Sequence, residues 1–227
     1  MKDCSAVLVA AGSGKRLGFD KVLTPLAGKP VVQYSLETLQ CAPSIQEIIL
    51  VTRAELIGKL SELTKNSSIQ TKVIEGGVER QDSVFIGIQQ ATADYVLIHD
   101  AARPLVTVDM IEKTLAEARK TGAAVCAQRA TDTLKRAAPN GRVLETLNRA
   151  KIWHMQTPQI FRRELIARAY RRVQEKNLHV TDDAAAVELL GEPVQLVEAN
   201  GLNLKITRET DWKLAELWLK QAHQYDT

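Results

Sequence analysis

The chain runs to 227 residues, enough to bury a sizeable core in one large domain or two small ones. Its 45% hydrophobic and 25% charged content is ordinary for a soluble globular protein, and a formal net charge of +3 is too small to make nucleic acid or a membrane surface a general partner. Cys4, Cys41 and Cys126 stand far apart with no CxxC pair, which fits a reduced cytoplasmic protein better than a disulfide framework or a zinc site.

From Met1 the chain passes through the polar "KDCS" into a strand, without a signal-peptide pattern. No apolar run approaches the roughly 18 residues of a membrane span. "SAVLVA" (5–10) is the first expected strand, followed by a helix in "KPVVQYSLETLQ" (29–40) with Pro30 suited to its first turn. Strands are then expected at "EIILVT" (47–52), "TKVIEG" (71–76), "DYVLIHD" (94–100) and "AAVCAQ" (123–128). Helical patterns fill 54–65, 79–91 and 107–120, the last with Thr107 as N-cap. The strands are apolar on both faces, as parallel strands covered by helices must be. Repeated strand–helix units therefore predict an α/β fold, a Rossmann-like, mostly parallel sheet flanked by helices.

The alternation breaks after residue 128. "TDTLKR" and "RVLETL" flank "PNG" (139–141) symmetrically, which predicts a β-hairpin arm over about 131–152 projecting from the sheet. A helix is expected at 161–175, then "TDDAAAVELL" (181–190), a strand near 194–198, a short strand "NLKIT" (203–207) and a final helix carrying Trp212 and Trp218. With no internal repeat or low-complexity linker, residues 1–227 read as one domain.

The opening stretch "AVLVAAGSGKRLGFDK" (6–21) carries the first chemical signal. It fails the dinucleotide fingerprint, because Leu17 stands where GxGxxG needs its third glycine, and it fails the P-loop pattern, because Arg16 follows Lys15 and Val9 stands at the first glycine. What remains is a strand, the small-residue turn "AAGSG" and the cations Lys15, Arg16 and Lys21. In an open α/β sheet such a turn lies beyond the strand's carboxyl end, where ligands bind. Backbone N–H groups there cradle phosphate oxygens and cations offset their charge. A nucleoside triphosphate, with about four charges, suits this set better than a dinucleotide pyrophosphate.

"AAGSGKRLG…DK" resembles the signature of nucleotidyltransferases that join a sugar or polyol phosphate to a nucleotide. Together with "GGVERQDSV" (76–84), "HDAARP" (99–104), "WHMQTPQIF" (153–161), "TDDAAAVE" (181–188) and "NLKIT" (203–207), the chain is similar over essentially its whole length to the 2-C-methyl-D-erythritol 4-phosphate cytidylyltransferase family of the non-mevalonate isoprenoid pathway. The resemblance implies that the substrate's phosphate oxygen attacks the α-phosphorus of CTP and releases pyrophosphate. A phosphate's second pKa of about 6 leaves that nucleophile already ionised, so no general base is needed.

The resemblance also implies roles. Arg16, Lys21, Arg149 and Lys205 would stabilise charge and hold phosphates during transfer. Ala10, Ala11, Gly12 and Gly14 would give backbone contacts to CTP, and Gly77, Arg80 and Ser83 would sit by its cytosine, ribose or phosphates. Asp100 and Ala101, at a strand's carboxyl end, would meet nucleotide or substrate. Asp100, Arg103, Thr133, Arg149, Thr181 and Lys205 would bind the polyol phosphate. Mg²⁺ would be held mainly by CTP phosphates, without a dedicated set of protein ligands. Thr133 and Arg149 fall on the arm or its base, through which family members form homodimers. His99, alone at a strand end, is expected to be structural. Where many relatives have a proline–lysine–glutamine segment this chain has "FDKVL", making Lys21 the counterpart, with Val22 after it.

Other readings stay open at this point. A ribitol 5-phosphate cytidylyltransferase shares the same motifs. A non-catalytic nucleotide-binding module could keep "AAGSG", yet it would not need Thr133, Arg149 and Lys205 together.

Overall fold

The structure is a computed structural model and describes residues 2–12 and 20–225. β1 (Cys4–Val9) is buried throughout: Cys4, Ala6 and Leu8 join one core and Val7 and Val9 another, as a strand covered on both faces requires. A small ribbon, β2 (Pro25–Leu26) with β3 (Lys29–Pro30), leads into α1 (Val31–Cys41). Then come β4 (Ile45–Thr52), α2 (Ile57–Thr64), β5 (Gln70–Glu75), α3 (Arg80–Gln90), β6 (Tyr95–Asp100), α4 (Val108–Thr121) and β7 (Ala123–Arg129). The expected strands and helices of this half are all found, the helix of 54–65 opening as a 3-10 turn at Ala54–Leu56. Thr107 caps α4 by accepting from Met110 N at 3.2 Å, and Gly122, at φ +86°, ends it in the left-handed conformation that glycine adopts without strain.

The arm is also present. β8 (Lys135–Ala137) and β9 (Val143–Thr146) form a separate antiparallel pair around Gly141, and their strand residues are exposed. The chain returns through β10 (Trp153–Arg162), α5 (Arg163–Glu175), α6 (Asp183–Glu188), β11 (Gln195–Glu198) and α7 (Glu209–Tyr225).

Seven strands lie in the order β11-β7-β10-β6-β1-β4-β5, and β10 alone among them runs antiparallel to its neighbours. One face packs on α1 and α4 through Val32, Leu36, Leu39, Ile111 and Leu115. The other packs on α3, α5 and α6 through Val84, Ile88, Ile166, Tyr170 and Val187. A third cluster seats α7 on the ribbon, joining Leu26, Val31, Tyr34, Ile206 and Leu219 with Trp212 against them. β1 pairs with β4 on one side and with β6 on the other; the chain leaves β1 through α1 towards β4 and β5 and returns through α3 to β6, and a crevice opens at the carboxyl ends of β1 and β6, where that direction reverses.

Two expectations need correction. "NLKIT" (203–207) is not a strand: it forms no ladder and is held by side chains and by Ile206 N donating to Ala102 O at 2.8 Å. β10 has no counterpart among the expected strands, because Gln156, Thr157 and Gln159 interrupt the apolar pattern although all three are buried.

Candidate active site

The crevice holds a cleft of about 550 Å³ whose floor is Val9, Ala10, Ala11 and Gly12. Lys21, Arg53, Gly77, Arg80, Ser83, Asp100, Ala101 and Lys205 also line it. The turn's start is pinned to the sheet: Ala10 N donates to Val51 O at 2.7 Å, and Ala101 N donates to Val9 O at 3.0 Å. Arg53 Nη1 donates to Gly12 O at 3.0 Å and its Nη2 pairs with Asp20 Oδ2, bracketing the turn from β4's side. Gly14 and Arg16 lie outside the described residues.

Asp100 closes β6 and centres a chain of charges. Arg80 Nε donates to its Oδ1 at 2.9 Å, and Lys205 Nζ donates to its Oδ2 at 2.6 Å. Arg80 Nη1 and Nη2 reach Asp183 Oδ1 and Oδ2 at 3.0 and 2.8 Å, a bidentate pairing that fixes the guanidinium plane. Asp183 is fully buried and accepts a third bond from the Tyr170 hydroxyl at 2.6 Å. Burial alone would raise the Asp100 pKa, but Arg80 and Lys205 outweigh it and hold the carboxyl well below the usual range. Burial would likewise lower Arg80, and Asp183 and Asp100 more than reverse that. The Tyr170 hydroxyl is driven up by burial and by the Asp183 charge.

Behind this chain lies a neutral relay. Asp100 N donates to Thr157 Oγ1 at 3.1 Å, Thr157 Oγ1 lies 2.9 Å from His99 Nδ1, and His99 Nε2 lies 3.1 Å from Arg103 O. A carbonyl only accepts, so Nε2 carries the ring proton and Nδ1 takes the Thr157 hydroxyl proton. Burial pushes the fully enclosed His99 down to about 4. Its structural reading holds.

The two glycines of the "GG" turn serve close packing against α3. A Cβ at Gly77 would lie 2.3 Å from Asp82 Cβ, and one at Gly76 would lie 2.5 Å from Ser83 Oγ. Ser83 is buried, accepts from Gly77 N at 3.1 Å and donates to Glu79 O at 3.2 Å, so its hydroxyl shapes the turn. Lys21 Nζ donates to Ile206 O at 2.9 Å, tying its loop to the Lys205 segment.

Other expected substrate residues stand apart. Arg103 is not among the described residues lining the cleft; its Nη1 donates to Asn203 O at 2.7 Å, and burial lowers its pKa. Thr181 lines a neighbouring cavity with Glu79, Arg80 and His179. Thr133 and Arg149 are exposed at the arm, where Arg149 Nη1 donates to Thr131 O at 2.6 Å, and neither is among the described residues lining this chain's cleft. Sequence reasoning missed Arg53, Thr157, Tyr170, Asp183 and Asn203. Three of these lie inside quoted motifs, but nothing in those motifs says where the side chains point.

Among the described residues no group of three or more His, Cys, Asp or Glu could hold a metal, and the cleft's acidic lining residues are Glu79 and Asp100. Asp100, itself part of the charge chain, is the carboxylate that would face a cation carried on triphosphate oxygens.

The chain matches the family model for 2-C-methyl-D-erythritol 4-phosphate cytidylyltransferase over residues 4–221. It is 41% identical over 221 residues to the protein of that name from Dehalococcoides mccartyi strain CBDB1, covering 96% of each chain. It is 39% identical over 226 residues to that of Dictyoglomus thermophilum, covering 97% of this chain and 96% of the relative. The crystal structure of 4-diphosphocytidyl-2C-methyl-D-erythritol synthase from Anaerococcus prevotii superposes with a TM-score of 0.87 at 30% identity, covering 96% of this chain and 99% of that one. Fold, cleft and full-length similarity agree: the chain belongs to the 2-C-methyl-D-erythritol 4-phosphate cytidylyltransferase family.

Proposed function

We propose that the chain converts CTP and 2-C-methyl-D-erythritol 4-phosphate to 4-diphosphocytidyl-2-C-methyl-D-erythritol and pyrophosphate, in isoprenoid precursor synthesis. The observation that carries the reading is the chain Asp183–Arg80–Asp100–Lys205, set at the carboxyl ends of β1 and β6 beside the turn of Ala10 to Gly12 that lines the same cleft. The reaction asks mainly for positioning and charge stabilisation, and these residues supply both. Lys205 has three ammonium donors and spends one on Asp100, which leaves others for phosphate oxygens. Lys21 and Arg16 serve the triphosphate, Arg80 and the Gly77 turn orient the nucleotide, and Arg103 and Thr181 support the polyol phosphate. Mg²⁺, held mainly by the triphosphate, offsets its charge when bound.

Residues 1–227 act as a single cytidylyltransferase domain, with the arm (131–152) as dimerisation element. Thr133 and Arg149 then complete the partner's site. Exposed Val143 and Leu144 on the arm supply apolar surface for that contact. The described helices include none long and apolar enough to cross a membrane, and all three cysteines are free, which supports a cytoplasmic location.

The test is pyrophosphate release by the purified chain with CTP, Mg²⁺ and either methylerythritol phosphate or ribitol phosphate. Release with the branched substrate alone is the expected result. Release with ribitol phosphate alone would move the chain to cell-wall polyol chemistry, and CTP binding without release from either would favour a non-catalytic module.

A further inference from the structure

Lys205 stands on a segment that has no ladder to hold it. Residues 202–207 leave the sheet altogether, yet they deliver an ammonium group to within 2.6 Å of Asp100. Something other than strand pairing must fix that backbone. Ile206 N on Ala102 O supplies one point, and Arg103 Nη1 on Asn203 O supplies a second.

The third is the Asn203 side chain. It is 2% exposed, and its single amide nitrogen donates twice, to Gln156 Oε1 at 3.0 Å and to Thr157 O at 2.9 Å. Its orientation follows from chemistry, since a backbone carbonyl only accepts. Thr157 is also the residue whose hydroxyl receives the Asp100 N–H. Both halves of the Lys205–Asp100 pair are therefore referenced to one residue of β10, Asp100 through Thr157 Oγ1 and Lys205 through Asn203 on Thr157 O.

We propose that Asn203 is a positioning residue for the transfer, locking the strandless segment to β10 so that Lys205 meets the reacting phosphate in register with Asp100. The proposal rests on the reading of Lys205 as a phosphate-holding group. Asparagine is the residue the geometry asks for: one nitrogen offers two protons to two acceptors. Serine would satisfy one of them. Alanine satisfies neither, and aspartate would face a carbonyl with a negative charge.

The experiment measures kcat, KM for both substrates and CTP affinity in Asn203→Ser, Asn203→Ala and Asn203→Asp, each also built on Lys205→Ala. A displacement of about 1 Å at a reacting group costs up to about a hundredfold. Asn203→Ala should accordingly lose about 10- to 100-fold in kcat, Asn203→Ser less and Asn203→Asp at least as much. CTP affinity should stay within about twofold, because the nucleotide turn at Ala10 to Gly12 is held by other bonds. On the Lys205→Ala background the further loss should vanish, since residues acting as one unit are not additive.

Wild-type kcat in Asn203→Ala, or the same fold loss on both backgrounds, would overturn the proposal. If Lys205→Ala alone keeps wild-type turnover, the reading of Lys205 fails and the proposal fails with it. Should Asn203→Ala not fold, Gln156→Ala removes one of the two acceptors from the other side and is judged by the same two-background criterion.

Discussion

Asp100 gives one oxygen to Arg80 and the other to Lys205, so each oxygen already faces a cation before any substrate arrives and keeps a lone pair in reserve. Arg80 is in turn shared between two carboxylates, Asp100 and Asp183. The alternation of sign lets four ionised groups pack at the cleft without a net charge of their own, while Lys21 adds a cation at the rim. Asp183 is the buried end of the chain, and removing its charge is the sharpest test of it. Breaking one partner of a buried ion pair typically costs about 3–5 kcal/mol. Asp183→Asn keeps the side chain's volume but leaves the Arg80 fork facing an amide. It should lower the denaturation free energy by about 3 kcal/mol and raise the CTP KM by at least about tenfold, as read from denaturant titration and initial rates. Unchanged stability with unchanged CTP KM would mean that Asp100 alone holds Arg80.

At the scale of elements, the seam between β6 and β10 is polar where a core seam is usually apolar. Gln156, Thr157 and Gln159 are buried there, and each has a partner far away in sequence: Asn203 for Gln156, His99 for Thr157, and the start of α6 for Gln159, through Asp182 and Ala184 N. This is why β10 could not be read from the sequence while β1, β4, β6 and β7 could. Those strands each carry a run of consecutive apolar residues, a local signal, whereas the burial of "HMQTPQ" depends on hydrogen bonds set by the finished fold. The same limit explains Asp183 and Tyr170. Both lie in segments that read as helix, but the pairing of Asp183 with Arg80, 103 positions away, has no local pattern, and Tyr170 is tied to the charges only through Asp183. In the other direction, Lys205, Asp100 and Arg80 were legible as site residues, since their motif positions carried them into one cleft.

The His99 relay makes the seam pH-sensitive. His99 is fully buried and neutral, its folded pKa is about 4, and an unfolded histidine titrates near 6.5. Between those values the unfolded chain binds more protons, so stability is complete above about pH 6.5 and is lost as pH falls towards 4. Burial is the largest cause and the Arg103 and Lys205 charges add to it, while the Asp100 charge and the bond to Arg103 O oppose it and are outweighed. The integrated contribution is about 3 kcal/mol. Asp100 has a folded pKa below its unfolded value, so its own contribution disappears only below about pH 4, outside that window. Thermal midpoints measured from pH 7 to pH 4 should fall in the wild type and fall distinctly less in His99→Gln, which keeps an amide in place of the ring. Parallel slopes would assign the acid sensitivity elsewhere.

For the molecule as a whole, the arm decides whether the active site belongs to one chain. Within a single chain the arm is paired to itself through Arg136–Glu145 at 2.9 Å and Leu147 N on Leu134 O at 2.9 Å, and its strands bury nothing. The hairpin leaves Val143 and Leu144 more than half exposed. Arg149, at its base, lines no part of the described cleft of its own chain. If two copies exchange arms, each complete site takes Lys205 from one chain and Arg149 from the other, and complementation measures this directly. Arg149→Ala and Lys205→Ala proteins should each be nearly inactive. In a mixed dimer, the Arg149→Ala chain keeps Lys205 and receives an intact Arg149 from its partner, while the second site lacks both. Refolding or coexpressing the two in equal amounts makes about half the dimers mixed, each with one working site of two, so about a quarter of wild-type activity should return. Activity that stays at the level of the separate variants would place Arg149 in its own chain's site or outside the reaction, and would leave the arm a purely structural contact.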